Sequence, residues 1–176
     1  MLQSKTPFLD ALKAEANSSQ TPFYFPGHKR GQGIADPLKK WLGLEMFQGD
    51  LPELPQLDNL FQPQGAIKAA QELAAAAFGA KQTWFLTNGS TAGVIAAILA
   101  TCNPGDKLLL ARNSHQCAIA GLILAAVEPV FIQPGYDPQW DMVLSVTPEA
   151  LEAALKQDSD IKAVLVVSPT YHGICS

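Results

Sequence analysis

Three short runs in this chain bring hydroxyls, imidazoles and glycine to points where a strand gives way to a helix or a loop. The first is Thr87-Asn88-Gly89-Ser90-Thr91-Ala92-Gly93. At a strand-to-helix turn its free backbone N–H groups and two hydroxyls converge, an arrangement that cradles a phosphate. Gly89 lets the backbone approach closely, and Ser90 and Thr91 can donate to phosphate oxygens at the positive end of a helix dipole. The competing reading is that Ser90 only caps the helix. Neither GxGxxG nor the GxxxxGK loop occurs, which argues against a dinucleotide or a nucleoside triphosphate.

The second run is Arg112-Asn113-Ser114-His115, just after a predicted strand and on the carboxyl edge where α/β sheets bind ligands. An imidazole there can stack on a planar ring. Alternatively, Ser114 caps the next helix and His115 is merely exposed in its first turn. The third run, Thr170-Tyr171-His172-Gly173, follows the last predicted strand and opens toward the same edge. Their shared edge joins three signals that are individually modest.

Pro26-Gly27-His28-Lys29 offers an imidazole and an amine, or else a solvated loop. Lys29 is not expected to carry a cofactor as an imine, because it lies upstream of the whole sheet with no strand feeding it to the cradle. Asp50, Glu53 and Asp58 are spaced through Pro-rich sequence and fit turns and caps better than paired-carboxylate chemistry. No Ser/His/Asp or metal-ligand pattern stands out.

The elements that must position these residues follow from periodicity. Phe8, Leu9, Leu12 and Ala16 recur at helical spacing, so residues 7–16 read as a short amphipathic helix, followed by the polar linker 17–20. Residues 21–63 are dense in Pro and Gly and read as loop, with a short helix near 37–42. Ala66 to Phe78 is rich in helix formers, and Gly79 supplies a left-handed stop. Strands are then expected at 83–87, 107–111, 129–133 and 163–167, alternating with helices at 90–100, 116–126 and 148–156. Strands apolar on both faces and alternating with helices predict an α/β fold with a mainly parallel sheet. The expected organisation is an arm and linker at 1–20, a loop segment at 21–64, and part of a larger ligand-binding domain at 65–176. The last strand is followed by no covering helix, so the sequence reads as stopping early, with marginal solubility expected.

Composition narrows the function class. The 176 residues are 48% hydrophobic and 16% charged, enough apolar material for a substantial core. A formal net charge of -4 leaves no basic footprint for nucleic acid. Cys102, Cys117 and Cys175 lie far apart without CxxC spacing, against a zinc site or a disulfide scaffold and in favour of a reducing cytosol. No signal-peptide run is present, and the longest apolar stretch is about half the ~20 residues a membrane helix needs.

Taken in order, Phe25-Pro26-Gly27-His28-Lys29, Asp50-Leu51-Pro52-Glu53-Leu54, Leu57-Asp58-Asn59-Leu60, Gln71-Glu72-Leu73-Ala74 and Phe78-Gly79-Ala80 resemble blocks of the Orn/Lys/Arg decarboxylase family. The resemblance continues through Thr87-Asn88-Gly89-Ser90-Thr91, Arg112-Asn113-Ser114-His115, Gly121-Leu122-Ile123-Leu124, Glu128-Pro129-Val130 and Ser168-Pro169-Thr170-Tyr171.

This resemblance implies the fold of aspartate aminotransferase-like enzymes, here an incomplete large domain. It also implies pyridoxal 5′-phosphate as cofactor, an amino acid as substrate, and a homodimer or higher homo-oligomer in the cytoplasm. Gly89, Ser90 and Thr91 would hold the phosphate, His115 would stack on the pyridine ring, and Thr170 would lie near the cofactor's 3′-oxygen. The implied activity is loss of CO₂ from arginine, lysine or ornithine to give a polyamine-type amine. The family's cofactor-bearing lysine, usually after Ser-x-His, and the acidic partner of the pyridine nitrogen have no counterpart in these residues, so the chain alone is expected to be inactive. Departures occur at Gln116-Cys117, where Lys-Ser is usual, and at Pro52 and Gln56. Other readings are another reaction of the same fold type, such as an aminotransferase or lyase step, or a non-catalytic chain that binds phosphate compounds or a partner.

Overall fold

The computed structural model describes residues 2–175, which form two compact units divided between Phe85 and Leu86. The first unit holds four helices: α1 (Pro7–Ala16), α2 (Asp36–Leu42), α3 (Leu44–Gln48) and α4 (Ala66–Phe78). Helix α4 packs against α1, and buries Ile67, Gln71 and Ala75, which recur every four residues and so share one face. Its C-terminus closes as expected: Gly79 takes φ 63, Ala80 N–H donates to Ala75 O at 2.9 Å, and Gly79 N–H to Ala76 O at 3.4 Å, a Schellman stop.

The N-terminus of α4 is capped from a distance. The Asp58 carboxylate accepts backbone N–H groups from Asn59 (2.9 Å), Gln64 (2.8 Å), Gly65 (2.8 Å), Ile67 (3.0 Å) and Lys68 (3.2 Å). Burial pushes its pKa up, but the N–H groups of Gln64, Asn59, Gly65 and Lys68 outweigh this and hold it well below the usual carboxylate range. Glu53 works alike on a smaller scale, accepting from Asn59 Nδ2 at 2.7 Å and Leu60 N–H at 2.8 Å. The turn and capping role expected of these acids is therefore the one they have.

The second unit is a three-stranded parallel sheet in the order β2 (Glu128–Ile132), β1 (Lys107–Ala111), β5 (Ile161–Leu165). Lys107 pairs with Glu128 and Ala111 with Ile132, while Leu108 and Leu110 pair with Ala163 and Leu165. The period of two along β1 divides the core. Leu108 and Leu110 face α5 (Gly89–Thr101) and α6 (Gln116–Ala125), packing with Ile98, Cys102, Ala118, Leu122, Ala125 and Val127. Leu109 and Ala111 face the other way, where Ile132 joins them and Ala150, Leu151 and Ala154 of α7 (Pro148–Gln157) pack over them. Leu109 and Leu110 are fully buried, each contributing about 1.5–3 kcal/mol. Helices α5 and α6 cross closely at Gly121, where an added Cβ would lie 2.6 Å from Ile98 Cδ1.

The structure corrects the sequence reading in three places. Residues 83–87, expected as a strand, join no ladder among the described residues, and a strand exists only through its partner. A short helix, α3, lies in the segment read as loop, entered through Gly43 at φ 82. A small antiparallel pair, β3 (Tyr136–Asp137) and β4 (Met142–Val143), follows β2. It is closed by Asp137, which accepts from Gln139 and Trp140 N–H, and by Tyr136 O–H donating to Asp141.

Candidate functional site

Parallel strands put all their carboxyl ends on one edge, so the segments leaving β1 and β5 emerge side by side. A cavity of about 570 Å³ opens there, and residues from both exits line it: Asn113 and His115 after β1, Thr170, Tyr171 and His172 after β5. Its floor is apolar, built from Leu109, Ala111, Ile132, Val164 and Leu165. Lysine, arginine, aspartate and glutamate are absent from the lining, so its polar character rests on hydroxyls, amides and imidazoles. Size and composition are those of a small-molecule pocket.

His115 is held by the helix that follows it. Its backbone is extended (φ -61, ψ 149), it occupies the N-cap position of α6, and its Nδ1 accepts the Cys117 N–H at 3.2 Å. With Nδ1 as acceptor, the neutral ring carries its proton on Nε2. Here the structure corrects the alternative that Ser114 caps α6: the cap is His115, and the Ser114 hydroxyl is buried without a hydrogen-bond partner. Upstream, Arg112 is drawn away by its guanidinium, 5.0 Å from the centre of the Phe131 ring on β2.

Thr170 begins a tight loop. Its N–H donates to Ile174 O at 2.8 Å, its hydroxyl accepts Ile174 N–H at 3.2 Å, and Gly173 N–H donates to Thr170 O at 2.9 Å, with Gly173 at φ 80. The loop is tied down by Ser145, whose hydroxyl donates to Cys175 O at 3.1 Å. Tyr171 is left fully exposed with its ring edge-on to His172 at 5.7 Å.

Gly89, Ser90 and Thr91 stand in the exposed first turn of α5. Because α5 leads through the 102–106 turn into the start of β1, its other end, with these residues, points to the carboxyl edge. They do not line the cavity. The helix begins at Gly89 (φ 72) with Asn88 at the N-cap, so Ser90 is inside the helix and is not its cap, and Asn88 makes no side-chain cap bond.

His28 and Lys29 belong to the first unit and serve as clamps. His28 Nδ1 accepts Gly31 N–H at 3.1 Å, its Nε2 lies 3.1 Å from Asp50 Oδ2, and its ring meets Phe47 edge-on at 5.4 Å. The Lys29 amine donates to Tyr24 O at 2.5 Å. Arg30, which the sequence offers only as part of a small basic cluster, is a third clamp: its buried guanidinium donates to the carbonyls of Glu15, Ser18 and Gln20 at the end of α1 and beyond.

The wall formed by Val143 to Val146 also escaped the sequence reading, since its residues are ordinary apolar ones whose role comes only from packing. Among the described residues no His, Cys, Asp and Glu cluster is set for a metal, and no helix is long and apolar enough to cross a membrane.

Known decarboxylases resemble this chain along its whole length. An arginine decarboxylase of Bacillus cereus is 36% identical over the whole chain, which spans 38% of that protein, and one of Bacillus subtilis is 35% identical over the whole chain and 36% of its own length. The chain thus spans a little over a third of these relatives. The fold matches a constitutive lysine decarboxylase of Escherichia coli with a TM-score of 0.77 at 22% identity, covering 95% of this chain and 25% of that one. The family profile of the Orn/Lys/Arg decarboxylase major domain matches residues 6–176. With nearly every residue inside that match and the fold in agreement, the chain belongs to the Orn/Lys/Arg decarboxylase family.

Proposed function

We infer that this chain supplies the N-terminal part of the cofactor pocket in a pyridoxal 5′-phosphate-dependent decarboxylase of a basic amino acid, arginine first. The observation that carries the reading is that His115 and Thr170, which come from different strand exits, line one cavity at the carboxyl edge. Arginine is favoured because four relatives with that printed activity are 35–37% identical across 99–100% of this chain, against 27–30% for the ornithine decarboxylases.

The residues present fit the cofactor. The first turn of α5 has N–H groups that its N-cap side chain does not occupy, two exposed hydroxyls at Ser90 and Thr91, and open space at Gly89, where an added Cβ would meet nothing within 4 Å. That end of a helix suits a phosphate. The His115 ring would lie against the pyridine, and the Thr170 hydroxyl, which keeps its own proton to donate, would face the 3′-oxygen. When bound, the cofactor supplies an electron sink for the carbanion left as CO₂ departs. The chain's own work is to hold the ring plane, fix the phosphate and exclude water with an apolar floor. The lysine that bears the cofactor is expected outside these residues, so the chain alone does not decarboxylate. A reducing, cytoplasmic setting suits the three free cysteines, and a homo-oligomer and a polyamine-type amine product belong to the same proposal.

The test is release of CO₂ from carboxyl-labelled arginine, lysine and ornithine by the cofactor-loaded protein that carries this chain. Arginine is expected to react fastest, and His115→Ala to lower kcat/KM about 100-fold. No release from any of the three overturns the reading. Borohydride reduction of this chain alone with the cofactor is expected to yield no stoichiometric adduct at a single lysine.

A further inference from the structure

We propose that Ser114 is the reserve cap of α6: when a ligand in the cavity draws the His115 ring away from the Cys117 N–H, the Ser114 hydroxyl accepts that N–H in its place. Two observations meet here. His115 lines the cavity and at the same time spends Nδ1 on Cys117 at 3.2 Å, so one side chain serves two partners. One residue upstream, the Ser114 hydroxyl is buried and has no hydrogen-bond partner, an arrangement that is rare in native proteins and calls for a reason.

The chemistry favours the exchange. Serine is among the best helix-capping side chains and histidine is not. A serine oxygen reaches the N–H two or three residues ahead in the turns such residues commonly form, and Cys117 is three residues ahead of Ser114. The turn before it is pinned by a backbone bond that neither side chain touches, Ser114 N–H to Ala111 O at 3.0 Å. With His115 extended at ψ 149, Ser114 stands one residue outside the N-cap, so the exchange also turns the His115 backbone into the first turn of α6 and makes Ser114 the N-cap, with Cys117 at N3. Ser114 is thus a positioning residue, which frees His115 to turn toward a planar ring without leaving the start of α6 uncapped.

The test is a double-mutant cycle on this chain, read as thermal midpoint by circular dichroism. Ser114→Ala is expected to leave Tm unchanged or raised in the parent chain, since the hydroxyl is idle there. In the His115→Ala background, where serine has become the cap, the same substitution is expected to lower Tm by about 4 °C. An equal effect in both backgrounds, zero included, overturns the proposal. Should the double variant not fold, amide exchange at Cys117 decides. With pyridoxamine 5′-phosphate added, protection is kept in the parent chain and in Ser114→Thr, and falls about fivefold in Ser114→Ala. Unchanged protection in Ser114→Ala overturns the proposal. The ligand arm rests on the cofactor reading, whereas the thermal cycle does not. A parent chain that fails to bind pyridoxamine 5′-phosphate therefore counts against the cofactor, while the cycle still judges the cap.

Discussion

The Asp58 carboxylate lies 2.8 Å from the Gly65 backbone nitrogen, at the N-cap of α4, and so does the work that a side chain next to the helix would ordinarily do. Because Asp58 titrates below the usual carboxylate range, its contribution is fully present above the unfolded value and is lost as pH falls. The parent chain is expected to lose stability progressively below about pH 4. Asp58→Asn should lower Tm at pH 7 by roughly 5 °C and flatten that acid limb, as followed by circular dichroism across pH 2–7.

Among the described residues, the buried positive charge of Arg30 is bonded to carbonyl oxygens, those of Glu15, Ser18 and Gln20. An ammonium cannot span three carbonyls with the fixed fork of a guanidinium. Arg30→Lys is expected to cost about 2 kcal/mol, measured by urea unfolding. It should also speed proteolysis in the 17–20 linker. An unaltered urea midpoint would show that the clamp is idle.

Gly121 sets the distance between α5 and α6. A bulky side chain there must displace Cδ1 of Ile98, the end of a side chain that is only 4% exposed. Gly121→Val should cost about 2 kcal/mol, and adding Ile98→Val should recover part of that loss by removing the Cδ1 carbon. Additive losses in the double variant would count against this contact.

Lys107 and Asp158 tie the start of β1 to the end of α7, with Nζ 2.8 Å from Oδ2. The hydrogen bond to Asp158 pushes Lys107 up, and the same bond holds Asp158 down. The pair's stabilisation is therefore present between the two titrations. It is lost as pH falls through the Asp158 value below about pH 4, and as pH rises through the Lys107 value above about pH 10. Lys107→Met is expected to lower Tm by no more than about 2 °C at pH 7, and 1 M NaCl should remove most of that difference.

Helices were legible in the sequence wherever they were fixed by local chemistry. Residues 7–16 and 66–78 carry their own periodicity and stops, and strand 107–111 carries an unbroken apolar run bounded by turn residues. The failures at 83–87, α3 and the β3–β4 pair share a cause. A strand needs a partner and a five-residue helix needs a contact, and neither is written in the segment itself. The same holds for the site: residue type drew attention to His115 and Thr170, but only the parallel register brings them to one cavity.

By itself, the sequence determined the α/β alternation, the candidate residues at the carboxyl edge and the family to which their order belongs. Tertiary structure decided what each group is free to do. His28 and Lys29 resemble catalytic residues by type, yet their ring and amine are spent on Asp50, Gly31 and Tyr24. Ser114 resembles a cap, yet His115 holds that position. Side-chain identity fixes which bonds a group can make, whereas its partners are chosen by a fold that brings distant residues within 3 Å.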